Sequence, residues 1–268
     1  MRRRQILLTN DDGIQSPGLW AAAEALSSLG FVTVVAPREQ SSGMGRSLPS
    51  TSDGVISKQI VQVGGQEWTV HAVGGSPAQA VLYGVLEIMP RRPDLVVSGI
   101  NYGENLAMGV TISGTVGAAL EAAALGIPAL AVSLETARQH HLSYSTRVNF
   151  STAAHFTAYF ARCLLEKEFP EDVDVLNINL PSNATPQTPW KLTRLARRRY
   201  FEPLRPKRTA WDEPASVGYR RSRDALRAEE GTDIYALRME RCISVTPLSL
   251  DMTSRVDFKT LDTLLRQE

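Results

Sequence analysis

After a run of three arginines and Gln5 the chain reads Ile6-Leu7-Leu8-Thr9-Asn10-Asp11-Asp12-Gly13-Ile14-Gln15-Ser16-Pro17. The apolar run of 6–9 is too short for a helix and predicts a buried strand, ended by the polar turn 10–13. Ser16 before Pro17 is a helix start, because a hydroxyl can accept from the unpaired N–H groups of a first turn and proline has no N–H to lose there. Gly30 stands where a left-handed C-terminal cap is expected, and Phe31-Val32-Thr33-Val34-Val35-Ala36 predicts a second strand ended by Pro37.

The same grammar recurs downstream, after a middle section that reads as irregular. Ser76-Pro77 opens a helix through Val81, Leu82, Val85 and Leu86, and Leu95-Val96-Val97-Ser98-Gly99-Ile100 is a continuous strand-like run. An Ala-rich helix over 114–125, a strand over 129–132, a helix over 146–167 and a strand over 173–178 follow. Alternating strands and helices predict an α/β fold: a Rossmann-like, doubly wound, mainly parallel sheet. Residues 1–180 read as the catalytic core. Five prolines and a cluster of basic residues between Pro181 and 235 break that pattern and predict a protruding C-terminal arm that serves oligomerisation; 236–268 read as a closing strand and helix, completing the fold or exchanged with a partner subunit.

Composition narrows the function classes. With 29 Lys+Arg against 28 Asp+Glu, the net charge of +1 supplies no whole-molecule field for a nucleic-acid polymer or an anionic membrane. The two cysteines, Cys163 and Cys242, encode neither a disulfide framework nor a structural zinc site, and the apolar run after the basic N-terminus is too short for export, so a cytoplasmic protein is expected. The apolar stretch 118–134 is interrupted by Glu121, Gly126 and Pro128, so no membrane span is expected. No Walker-type loop, Gly-x-Gly-x-x-Gly after the first strand or Gly-x-Ser-x-Gly elbow occurs, and His71, His140, His141 and His155 lack metalloprotease spacing.

In an open α/β sheet, ligands bind beyond the carboxyl ends of the strands. That rule selects three oxygen-rich loops, carrying Asn10, Asp11 and Asp12; Ser41, Ser42 and Gly43; and Asn101, Tyr102, Gly103, Glu104 and Asn105. Adjacent carboxylates at the end of a buried strand repel each other unless a cation or several donors neutralise them. They either cap the next turn or bind a hard dication, and a set of Asp, Asn and Ser oxygens suits Mg2+ or Mn2+. Ser113-Gly114-Thr115 begins the Ala-rich helix, where small residues either cap it or leave N–H groups for a phosphate.

The spelling of 6–18, with Ser42-Gly43, Gly74-Ser76-Pro77, Ser98-Gly99-Ile100-Asn101-Gly103-Asn105, Ser113-Gly114-Thr115-Val116 and, more loosely, Thr232-Asp233 and Val245-Thr246-Pro247-Leu248, resembles the SurE survival-protein family. The resemblance implies a metal-dependent 5′-nucleotidase that hydrolyses nucleoside monophosphates, also 3′-monophosphates and short polyphosphate. It places one Mg2+ or Mn2+ per subunit on Asp11, Asp12, Ser42 and Asn101. The candidate catalytic residues are then Asp11, Asp12 and Asn10, the candidate phosphate-binding residues Gly43, Asn105, Ser113, Gly114 and Thr115, and the assembly a homodimer or homotetramer. The chain departs from the family's pattern at Arg38, at Arg46 and at Pro77-Ala78-Gln79-Ala80, the last bearing on base or sugar preference. An aspartyl-phosphate mechanism and a non-catalytic nucleotide-binding oligomer are the competing readings; the first is disfavoured because its usual carboxylate pair is separated by one residue.

Overall fold

A computed structural model describes residues 3–141 and 143–266, so Met1 and Arg2 of the basic N-terminus lie outside the described residues. The elements are β1 (Gln5–Thr9), α1 (Pro17–Ser27), β2 (Phe31–Pro37), β3 (Ile56–Val63), β4 (Gln66–Val73), α2 (Pro77–Tyr83), β5 (Leu95–Tyr102), α3 (Gly114–Ala124), β6 (Ala129–Leu134), α4 (Ser151–Glu166), β7 (Val175–Leu180), β8 (Trp190–Leu192), β9 (Phe201–Leu204), β10 (Gly218–Arg221), α5 (Asp233–Arg238), β11 (Ile243–Leu248) and α6 (Phe258–Arg266). A nine-stranded sheet runs β3-β4-β2-β1-β5-β6-β7-β11-β8, and β9 pairs with β10 in a separate hairpin. The strands from β4 through β7 are parallel, while β3 and β11 are antiparallel to their inner neighbours. This is the doubly wound α/β architecture expected from the alternating pattern.

The period of two within each strand divides the core. Ile6, Leu8, Val34 and Val97 point to the face covered by α1 and α4, whereas Leu7, Val35, Val96 and Ala131 point to the face covered by α2 and α3. Each large apolar side chain buried in this way contributes roughly 1.5–3 kcal/mol relative to exposure. α2 begins with a complete capping box: the Ser76 hydroxyl accepts from the Gln79 N–H while the Gln79 side chain accepts from the Ser76 N–H. Gln79 also bonds Ser52 and the Pro49 carbonyl, so the residue that departs from the family's pattern is engaged in holding its own loop.

Several expectations are corrected. The middle section is not irregular but forms the β3–β4 hairpin, whose second strand pairs in parallel with β2. Gly30 is no left-handed cap; α1 ends at a right-handed Ser28, and a Cβ at Gly30 would lie 2.6 Å from the Arg4 carbonyl oxygen, so glycine is required there for close approach. α4 starts at Ser151, five residues later than 146. Beyond Pro181 the chain is not wholly outside the sheet, because β8 forms its last strand, parallel to β11.

Three of the arm's basic residues are locally paired, Lys191 with Glu240, Arg194 with Glu229 and Arg198 with Asp224. A second charged cluster lies at its root, where buried Glu135 meets Arg241 at 2.7 Å, the Ser182 N–H at 3.0 Å and Arg238. Burial acts to raise the Glu135 carboxyl, but Arg241, the Ser182 N–H and Arg238 outweigh it and hold the pKa below the usual glutamate value. A folded-state pKa below the unfolded one means that the cluster's stabilisation is complete above 4.5 and is lost as pH falls through the folded value. Glu135→Gln is expected to cost about 2 kcal/mol at neutral pH, because Arg238 and Arg241, both partly buried, then lose the carboxylate that pairs them. Urea unfolding should also show a weaker loss of stability below about pH 4.5 in the variant than in the parent.

Candidate metal centre and active site

Strand order reverses between β1 and β5: the chain passes from β1 outward to β2 and β4, then returns to the other side of β1. Crossovers therefore leave on opposite faces and open a crevice at the carboxyl ends of these two strands. β1 delivers Asn10, Asp11 and Asp12 to that crevice, and all three are buried. Asn10 holds the turn, its amide donating to the Gly13 carbonyl at 3.0 Å and its Oδ1 accepting the Gly13 N–H at 3.2 Å.

Asp11 Oδ1 accepts from the Thr115 hydroxyl at 2.5 Å, and a Cβ at Gly114 would come within 2.7 Å of the Asp11 Cβ. The N-terminus of α3 is thus packed directly on this carboxylate. Asp12 Oδ2 accepts the Tyr102 N–H at 3.1 Å, while its Oδ1 has a long 3.4 Å contact from Gln40 Nε2. β5 carries Asn101 to the same place across a register shift between Ser98 and Asn101 against β6. Gly99 makes that irregularity possible: its φ is 132°, and a Cβ there would sit 2.3 Å from the Val132 carbonyl oxygen. The Asn101 amide donates to the Gly103 carbonyl at 2.7 Å, which leaves Oδ1 for another partner.

The loop after β2 reaches the cluster through the Ser41 N–H, which donates to the Asp11 carbonyl at 2.7 Å. Ser42 and Gly43 follow on the exposed rim, with Gly43 at a φ of 80° and open space where a Cβ would be. Among the described residues, neither of their N–H groups has a hydrogen-bond partner. The structure therefore brings together Asp11, Asp12, Asn101, the Ser42-Gly43 rim and Ser113-Gly114-Thr115. Asn105 lies on the same loop as Asn101, but its side chain turns to Ser133 at 2.9 Å and its backbone is held by Asn177 and Asn179. Ser113 caps α3 by accepting the Val116 N–H.

Burial raises the Asp11 carboxyl, and the Thr115 hydroxyl and the Thr115 and Gly114 N–H groups oppose it. Burial followed by the charge of Asp11 drives Asp12 well above the ordinary aspartate value. Among the described residues neither carboxylate enters a salt bridge. Two adjacent buried acids with no cationic side chain, beside an Asn oxygen and a serine, form an all-oxygen donor set that fits a hard divalent ion.

Two contributors are absent from the sequence reading. Gln40 touches Asp12 and also donates to the His141 carbonyl at 2.7 Å, and the backbone N–H of Tyr102 fixes the other Asp12 oxygen. No sequence signal marks a backbone donor, whereas Gln40 lies inside a loop already selected. Arg46, a departure from the family's pattern, pairs with Glu121 of α3 at 2.6 Å.

The family model for Survival protein SurE matches residues 6–202, which include both strands and all three loops of the crevice. The chain belongs to the SurE family. A 5′-nucleotidase SurE of Thermococcus kodakarensis is 44% identical over 263 residues, 97% of this chain and 98% of that protein. The 5′-nucleotidase SurE of Archaeoglobus fulgidus is 43% identical and covers 96% of each chain. The crystal structure of the SurE protein from Aquifex aeolicus superposes with a TM-score of 0.75 at 34% identity, covering 97% of this chain and 99% of that one. SurE membership thus extends past the core into the arm and the closing strand.

Proposed function

We propose that the crevice is the active site of a metal-dependent 5′-nucleotidase, which hydrolyses nucleoside 5′-monophosphates to nucleoside and phosphate and extends to 3′-monophosphates and short polyphosphate. The observation that carries this reading is the Asp11–Asp12 pair, buried at the topological switch point with no cationic partner among the described residues. One Mg2+ or Mn2+ per subunit would be held by Asp11, Asp12, Ser42 and Asn101. Once bound, it supplies Lewis-acid stabilisation of the phosphoryl oxygens and lowers the pKa of water.

The chain's own residues do the rest. Thr115 and the first N–H groups of α3 orient Asp11, the Tyr102 N–H and Gln40 orient Asp12, and Asn10 keeps both on their turn. The free N–H groups of Ser42 and Gly43 receive phosphate oxygens on the rim, with Ser113, Gly114 and Thr115 closing the opposite side. Asn105 acts from behind, through Ser133 and Asn179, to hold the loop that bears Asn101. Asp12 Oδ1, whose contact to Gln40 is long, would accept a proton from the attacking water.

A homodimer or homotetramer completes the proposal. Every residue of α6 is exposed, including the apolar Phe258, Leu261, Leu264 and Leu265, a composition suited to docking on a second subunit. The two free cysteines are consistent with a cytoplasmic location, and no described helix is long and apolar enough to cross a membrane.

The test is a turnover panel of purine and pyrimidine 5′- and 3′-monophosphates with Mg2+, Mn2+ or a chelator. Phosphate release from the 5′-monophosphates is expected to stop on chelation and to return with either ion. Undiminished release after exhaustive chelation overturns the metal, and metal-dependent nucleotide binding without turnover overturns the enzyme.

A further inference from the structure

The segment 101–105, the end of β5 with the proposed ligand Asn101 and the loop after it, is also gripped from outside the parallel core. The Glu104 side chain is fully buried, and its Oε1 accepts from the Tyr200 hydroxyl at 2.5 Å and lies 2.9 Å from Arg221 Nη2. Tyr200 immediately precedes β9 and Arg221 ends β10, so both belong to the arm hairpin. Tyr200 is itself buried in a small apolar cluster with Leu106, Ala196, Ile234 and Leu237. Just beyond the loop, the Ala107 N–H donates to Asp233 Oδ2 at 2.6 Å, while Asp233 Oδ1 accepts from Ala196 at 2.9 Å. On the third side Gly103 packs against the His141 ring, whose Nδ1 is 3.0 Å from the Tyr219 hydroxyl of β10.

A carboxylate taken out of water costs several kcal/mol unless its partners are in place. The loop can follow its present path, with Glu104 turned inward, only while Tyr200 and Arg221 meet it. We infer that the C-terminal segment positions the metal-binding loop, with Tyr200 and Arg221 acting through Glu104, and Asp233 acting through Ala107, as positioning residues for the reaction. This deepens the nucleotidase reading and rests on it. It also assigns the Thr232-Asp233 motif, which the chemistry of the crevice leaves unexplained, to holding the end of that loop. β5 and β7 keep their own pairing with β6 apart from the grip, so its loss is expected to displace the loop without unfolding the sheet.

The experiment uses the full chain carrying Tyr200→Phe, which removes one hydroxyl and keeps the ring, and Arg221→Met, which alters a half-exposed side chain should the first variant fold poorly. Thr193→Val is the control, since it removes a buried hydroxyl shared with Ser244 and Thr246 on the far edge of the sheet. Peptide-resolved hydrogen exchange on the metal-free protein and titration with Mn2+ followed by its free-ion resonance are the two readouts. Tyr200→Phe and Arg221→Met should speed exchange at 101–107 while sparing β1 and β6, and should weaken Mn2+ binding by about tenfold. Thr193→Val should lower the unfolding midpoint and leave both readouts unchanged. Parental exchange at 101–107 in both arm variants overturns the inference. If the arm variants loosen the loop but the parent protein binds no Mn2+, positioning stands and the metal reading falls.

Discussion

Asp12→Asn is expected to lower phosphate release by about a thousandfold and, in the chelated protein, to raise the thermal unfolding midpoint by about 2 °C. The two effects have one cause. Asp12 sits buried beside a second buried carboxylate, and burial together with the charge of Asp11 disfavours its ionised form. A neutral isostere keeps an oxygen for the Tyr102 N–H and removes the repulsion, so the metal-free fold gains about 1 kcal/mol. The same change removes a hard anionic ligand from the proposed centre, and with it the means of fixing a dication against the phosphoryl group. Calorimetry with chelator and phosphate assays with Mn2+ decide the matter. A variant that is less stable than the parent when metal-free, or that retains more than about a tenth of its turnover, refutes the assignment.

Gly117→Ala is the second substitution with a large expected effect. Within an ordinary helix the change favours the helix by about 1 kcal/mol. Here a Cβ would meet the Gly45 carbonyl oxygen at 2.2 Å, its carbon at 2.3 Å and the Arg46 nitrogen at 2.6 Å, all of them backbone atoms that no rotamer change can clear. The loop must withdraw from α3, taking with it Gly43 and Ser42, two and three residues before Gly45. Displacement by about an ångström costs on the order of a hundredfold in rate. The parent value of kcat/KM in Gly117→Ala would show that the rim does not hold the phosphate. A fall in kcat/KM with preserved far-ultraviolet circular dichroism is the expected outcome.

Much of this arrangement is legible in the sequence because it rests on local rules. Ser76-Pro77 announces a helix start that the Gln79 capping box realises, and the mostly apolar runs of β1, β2 and β5 are short and bounded by turn residues, as expected of largely buried parallel strands. The switch-point rule then selects the three loops that carry Asp11, Asp12, Ser42 and Asn101, and the family resemblance singles out those four within them. β3 escapes because it is an edge strand with Lys58, Gln59 and Gln62 among its residues and little burial, although Gly64-Gly65 between two alternating runs is a hairpin signal. Gly30 misleads because glycine serves equally for a left-handed cap and for close backbone approach, and only the neighbouring Arg4 carbonyl distinguishes them.

The division of labour within the crevice is less readable. Thr115 and Ser113 look alike at a helix start, yet one hydroxyl donates to Asp11 while the other caps α3. Asn105 has the composition of a phosphate ligand, but its amide faces Ser133. Glu104 in sequence is a lone acid in a polar loop. Its partner Tyr200 lies 96 positions away, and no periodicity spans that distance.

The tie between Ala107 and Asp233 joins residues 126 positions apart. A chain emerging from the ribosome has its six parallel strands complete at Leu180, well before Asp233 is synthesised. The parallel strands can therefore pair before the tie that holds the crevice loop exists, and the segment that supplies this tie also brings Ile243, Val245 and Leu248 to the two apolar layers, so the crevice and the last part of the core are completed by the same stretch of chain.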